Sequence, residues 1–346
     1  MASRNNHALT FGAVVLAFAL IGLTGYVFHL ATRPNELGRS GTATDATLDA
    51  LEHRIHALLG KGQWSEAAIV LEEAVARYPE DLQIRQRLAE IYQQLAATAK
   101  SRRQHEESKR LFAQAYHQWA AIIEIGPKDA AAYFRAAMAA NEAGLPEART
   151  LFEHAAALEP NRPEYLLNLG MVQYNVGEYD VAQVSLHRAT QLKPDLAPGW
   201  AMLAQIALRE GQRNVALQLI TRARDIDPID ANFRVIEADI VASTDPDRAI
   251  ALLETLTEEL RRRDDVLRIA RNAYGAKGRF RDAAAYFTSA SDHDPENPDL
   301  ALAAADLLDR SGQRDRAIEY ARRAVEAGHT GAPRMLERLL AAGSDR

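Results

Sequence analysis

The chain contains no cysteine. Disulfides, thiolate zinc sites, iron–sulfur clusters and a cysteine nucleophile are therefore excluded. Basic charge is not in surplus either: 41 Lys and Arg stand against 47 Asp and Glu, a net charge of −6. Nucleic-acid binding requires a basic face, so no nucleic-acid partner is expected. There is no P-loop, no G-x-G-x-x-G after a strand, no H-E-x-x-H and no G-x-S-x-G. His53 and His56 lie three residues apart on one predicted helix, but no third metal ligand accompanies them. Asp292, Asp294 and Glu296 lack the EF-hand spacing and read as a solvated turn. The expectation is a chain without catalytic residues, metal or cofactor.

One long uncharged apolar run is present, residues 9–30 (LTFGAVVLAFALIGLTGYVFHL). Its length suits a helix crossing about 30 Å of hydrocarbon. Twelve of its residues are Leu, Ile, Val or Phe, which favours insertion by roughly 4–7 kcal/mol before the Gly, Thr and His penalties. Two readings compete. Ala17-Phe18-Ala19 resembles a signal-peptidase site, but the apolar run continues eleven residues past it, which favours a retained transmembrane anchor. Arg4 before the run and Arg33 and Arg39 after it leave the positive-inside rule almost balanced. A short tail (1–8) before a large folded region favours the repeats lying outside the cytoplasm. Residues 31–46 are small, polar and turn-forming, as in a flexible linker.

Beyond residue 46 the sequence becomes periodic. PEYLLNLGMVQYNVGEYDVAQVSLHRATQLKP, beginning at Pro163, aligns with the stretch ending at Pro228 at a period of 34. Leu166 falls over Trp200, Leu169 over Leu203, Gly170 over Ala204 and Gly177 over Gly211. Ala182 falls over Ala216, Leu186 over Ile220, Ala189 over Ala223 and Pro194 over Pro228. Each copy predicts two amphipathic helices, with a glycine between them and a proline closing the unit. The small pairs Gly170 with Ala182, and Ala204 with Ala216, predict close helix crossings. A single hairpin cannot bury its apolar stripe alone, so the copies must stack.

This pattern of large, large, small and large residues, followed by A-x3-F and proline, resembles the tetratricopeptide repeat (TPR) family. The resemblance covers about residues 47–341. It implies an all-α fold: a right-handed TPR α-solenoid of about eight repeats over 47–329, then a capping helix and tail over 330–346. The second repeat, 81–127, carries a surplus of 14 residues in a stretch rich in Ala, Gln, Glu, Lys and Arg. Helix propensity favours a projecting helical hairpin turning near 100–107, with Lys100, Arg102 and Arg103 at its tip, over a disordered loop. In the sixth repeat Arg234 and Glu237 stand at usually apolar positions, and Asp245-Pro246 replaces the glycine turn.

In this family the first helix of each repeat lines a concave groove where partners bind. Carried over position by position, the groove comprises Phe134, Met138 and Asn141, then Leu167, Asn168, Met171 and Asn175. Met202, Gln205 and Arg209 follow, then Asp239, Arg268 and Asn272. The family's chaperone-binding members use Lys, Arg and Asn to clamp a C-terminal carboxylate. Here Phe, Leu and Met replace those cations, which suggests an adaptable apolar groove for a protein or peptide. The alternative is that these residues are core, because a one-residue error turns groove into interior. The resemblance implies a non-catalytic, membrane-anchored scaffold of a bacterial-type inner membrane. Its expected role is assembly of an envelope complex, as in cytochrome c maturation or secretion. The second reading is a peptide-sensing adaptor that controls a partner enzyme.

Overall fold

The computed structural model describes residues 45–341. The apolar run 9–30, the linker up to 44 and the last residues, 342–346, lie outside the described part. Among the described residues there are eighteen helices and no strand. None of these helices is long and apolar enough to cross a membrane. The described residues form an all-α helical repeat solenoid and group into two compact units, one over 45–194 and one over 195–341.

The first unit contains four antiparallel hairpins. They are α1 (Asp45–Gly60) with α2 (Trp64–Arg77), α3 (Leu82–Ser101) with α4 (His105–Ile125), α5 (Ala130–Ala143) with α6 (Ala148–Leu158), and α7 (Pro163–Asn175) with α8 (Tyr179–Leu192). Asp81 and Asp129 cap α3 and α5 by accepting from two backbone N–H groups each, which satisfies otherwise orphaned donors. Ala67, Ala182, Leu186 and Ala189 are completely or almost completely buried. A small buried residue thus stands near the start of each second helix, alanine in three hairpins and Ser108 in the second, where its hydroxyl donates to the Ala96 carbonyl at 3.0 Å.

The elongated second repeat is resolved by its turn. Gly62, Gly144 and Gly177 have positive φ at the bend inside their hairpins, and Arg103 takes that conformation in the second repeat (φ 59°). These positions are 41, 41 and 33 residues apart. Each helix of the second hairpin thus gains about seven residues over the 34-residue period, or about two turns. The helices measure 20 and 21 residues. Lys100 is not a free cation at the tip. Its Nζ pairs with Glu142 at the end of α5 at 2.5 Å, in a largely buried ion pair. Placing the basic tip at Lys100 therefore needs correction, because the side chain folds back onto the neighbouring repeat.

The second unit contains α9 (Ala197–Arg209) with α10 (Arg213–Ile226), and α11 (Ala231–Val241) with α12 (Pro246–Glu254). A four-residue α13 (Glu258–Arg261) follows, where the sequence has no closing proline. Then come α14 (Asp264–Ala276) with α15 (Phe280–His293), α16 (Pro298–Arg310) with α17 (Arg314–Glu326), and a last single helix, α18 (Ala332–Ala341). Ala216, Ala249, Ala283 and Ala317 repeat the buried small-residue contact. Arg314 donates from Nε to the Leu339 carbonyl at 2.9 Å, satisfying the end of α18. Arg334, Glu337 and Arg338 face solvent on that helix, the polar outer surface a terminal repeat needs.

Candidate functional site

The expected groove residues of the first unit sit on α5 and α7. Phe134 is half-buried and spends its ring on packing, stacked on Tyr165 at 4.6 Å and edge-on to Phe152 at 5.6 Å. Met138 packs on the same cluster and keeps part of its side chain open to solvent. Asn141 and Leu167 are half-buried, and Asn175 is exposed. Asn168 donates from Nδ2 to the Glu164 carbonyl one turn earlier at 2.8 Å. That bond orients its side-chain oxygen as an available acceptor.

Met171 is different, being 5% exposed. From Leu169 to Tyr174 every residue of α7 is buried. In the second unit, Met202 and Gln205 belong to an unbroken buried run from Ala201 to Ala207 on α9. Met171, Met202 and Gln205 therefore do not line an accessible groove, which corrects the expectation. A helix that is apolar all round is covered on all sides. Counting positions from one buried stripe cannot identify an open face on such a helix. Gln205 additionally leaves its side-chain oxygen buried without a hydrogen-bond partner.

The remaining residues of the second unit are polar. Arg209 and Asn272 are exposed. Asp239 on α11 and Arg268 on α14 pair at 2.9 Å. The hydrogen bond and charge of Asp239 raise the pKa of the Arg268 guanidinium. Elsewhere on these first helices Asp265 pairs with Arg263 at 2.6 Å and Asp306 with Arg310 at 2.9 Å. An incoming carboxylate would have to compete with these internal carboxylates for the cations.

The structure brings Met138, Leu167, Asn141, Asn168 and Asn175 onto neighbouring first helices of one unit. It withdraws Met171, Met202 and Gln205 and commits Phe134 to packing. Two polar features were missed as pairs: Lys100 with Glu142, and Glu237 with Arg224 and Arg248. Glu237 was visible as a charge at an apolar position. Its partners were not, because a 34-residue frame aligns equivalent positions and says nothing about which side chains meet across helices.

Among the described residues no group of three His, Cys, Asp or Glu side chains is placed to hold a metal. A shallow depression of about 330 Å³ lies on α17, lined by Asp315, Ile318, Glu319, Arg322, Arg323 and Glu326. All six belong to one helix, and Arg323 is already paired with Asp292 and Glu319.

Models described as tetratricopeptide repeat match residues 48–91 and 276–342. The structure of the yeast protein Tom70 superposes with a TM-score of 0.51 at 17% identity, covering 90% of this chain and 67% of that one. The APC/C hetero-tetramer Cut9–Hcn1 gives 0.53 at 14% identity, covering 84% and 56%. A tetratricopeptide repeat protein from Parabacteroides merdae gives 0.50 at 14%, covering 84% and 98%. At these identities the likeness is one of fold. No curated protein matches the chain in sequence. The fold is consistent with a protein-binding scaffold or adaptor.

Proposed function

We propose that the chain is a non-catalytic scaffold that holds another protein through the first helices of its repeats. In this reading residues 9–30 anchor it in a bacterial-type inner membrane, with the repeats on the extracytoplasmic side, in the assembly of an envelope complex. The observation that carries the reading is the open surface of α5 and α7. There the half-buried apolar side chains of Met138 and Leu167 lie on the same helices as Asn141, Asn168 and Asn175. Apolar side chains supply anchoring area, and amides fix the register of a bound backbone. The peptide-sensing adaptor uses the same surface and differs in its consequence, a changed activity of the partner enzyme.

The test is site-specific photocrosslinking in membranes, followed by identification of the trapped protein. Met138→Glu with Leu167→Glu should abolish capture and move the thermal midpoint by no more than a few degrees. Both side chains have solvent access in the free protein, but a bound chain would desolvate the new charges. Arg102→Glu with Lys109→Glu at the tip of the long hairpin should leave capture intact. If the hairpin pair removes capture and the α5–α7 pair does not, the hairpin is the binding element and this reading fails.

The anchor has its own expected outcome. The full chain should stay in the membrane pellet through alkaline and high-salt washes, as a transmembrane helix requires. Recovery of a mature chain beginning near Leu20 would show a cleaved signal instead.

A further inference from the structure

We propose that the repeat formed by α11 and α12 is an ion-latched joint, which opens locally while the repeats flanking it in the second unit stay folded. Glu237 is the latch. It stands 34 residues after Leu203, a buried leucine of the preceding repeat, so a carboxylate replaces an apolar side chain in the stripe. The Glu237 side chain is completely buried. Its Oε2 accepts from Arg224 Nη1 at 2.6 Å, and its Oε1 accepts from Arg248 Nη2 at 2.5 Å and Nε at 3.1 Å. Arg224 lies on α10 and Arg248 on α12, so one carboxylate ties three helices.

The first helix of the repeat is well buried, and its second helix is short. The repeat's second helix, α12, has nine residues, against 14 in both α10 and α15. Its inner bend has no residue with positive φ; Thr244 and Asp245 instead donate to the Val241 carbonyl. After α12 the chain passes through Thr255–Thr257 into the four-residue α13 rather than into another long helix. A short helix contributes few backbone hydrogen bonds, and segments held by few of them open before the whole domain does. The two arginines are 32% and 40% exposed. In a variant with a neutral side chain at 237, they lose the charge that holds them together and turn to solvent. The joint gives the second unit one place to yield without loss of the neighbouring hairpins.

Hydrogen exchange read by mass spectrometry on the full chain in mild detergent tests this. Peptides from 231–254 should exchange at least about ten-fold faster than those from 197–226 and 280–326. Equal protection in the unaltered protein overturns the proposal. Glu237→Gln keeps the shape and removes the charge; it should speed exchange in 231–254 by about a further ten-fold and leave 280–326 unchanged. Glu237→Leu, which installs the neighbouring repeat's residue, should also speed exchange there. If Glu237→Leu instead slows exchange to the neighbours' level, the carboxylate is not a latch. If either variant raises exchange uniformly from 197 to 326, the repeat unfolds with its unit and there is no joint.

Discussion

Gly170→Leu should lower the stability of the first unit by about 3 kcal/mol, through overpacking. A Cβ placed on Gly170 would stand 2.7 Å from Leu186 Cγ, 2.9 Å from Leu186 Cδ2 and 3.3 Å from the Ala182 carbonyl oxygen. Leu186 is completely buried, so its side chain has nowhere to swing. The carbonyl belongs to the helix backbone and can retreat only by moving α8. Even Gly170→Ala should destabilise, although alanine in a helix interior is otherwise favoured over glycine by about 1 kcal/mol. A double-mutant cycle measured by urea unfolding separates the crossing from general damage. Leu186→Ala alone should cost about 2–5 kcal/mol by leaving a cavity. In the Gly170→Leu background it should cost much less, because the inserted side chain fills that space. Strict additivity would mean that α7 and α8 do not cross at this pair. Val184→Ala on the solvent side of α8, 70% exposed, is the control and should stay within about 0.5 kcal/mol.

Met171→Glu should produce a second large loss of stability. The sequence frame places Met171 beside Met138 on the groove, which predicts that a glutamate there would be silent until a partner binds. In the folded chain Met171 is almost wholly buried and Met138 is not. A carboxylate at 171 would be desolvated without a partner cation, at a cost of several kcal/mol. Thermal unfolding of the two single variants decides the matter. Met138→Glu should move the midpoint by a few degrees at most, and Met171→Glu should lower it by well over ten degrees or prevent folding. Similar midpoints for the two would return Met171 to the open face.

Much of the architecture was legible in the amino-acid sequence. The 34-residue match from Leu166 to Pro228 located two consecutive hairpins, their glycine bends and their small-residue crossings, because packing permits only small residues where two helices touch. The long second repeat was legible as helix from its composition. The turn near 100–107 was legible too; what was not is that Arg103 takes the positive φ there, a conformation that sequence patterns assign to glycine. The open surface was only partly legible. Met138, Leu167, Asn141, Asn168 and Asn175 remain accessible to some degree, whereas Met171, Met202 and Gln205 do not.

Periodicity in this chain determined which residues are equivalent, since equivalence is a property of the one-dimensional repeat. It could not determine how many faces of each helix are covered, because that depends on what packs around the helix on every side. α7 and α9 each carry an unbroken buried run, so their nominal groove positions became interior. Charge behaved in the same way. The sequence showed Lys100 within a basic tip and Glu237 as a charge at an apolar position, and only the folded chain decided that each has a counter-charge on a neighbouring helix. Coulomb attraction acts over a few ångströms of space, and residues that distant in sequence become neighbours only when the helices pack.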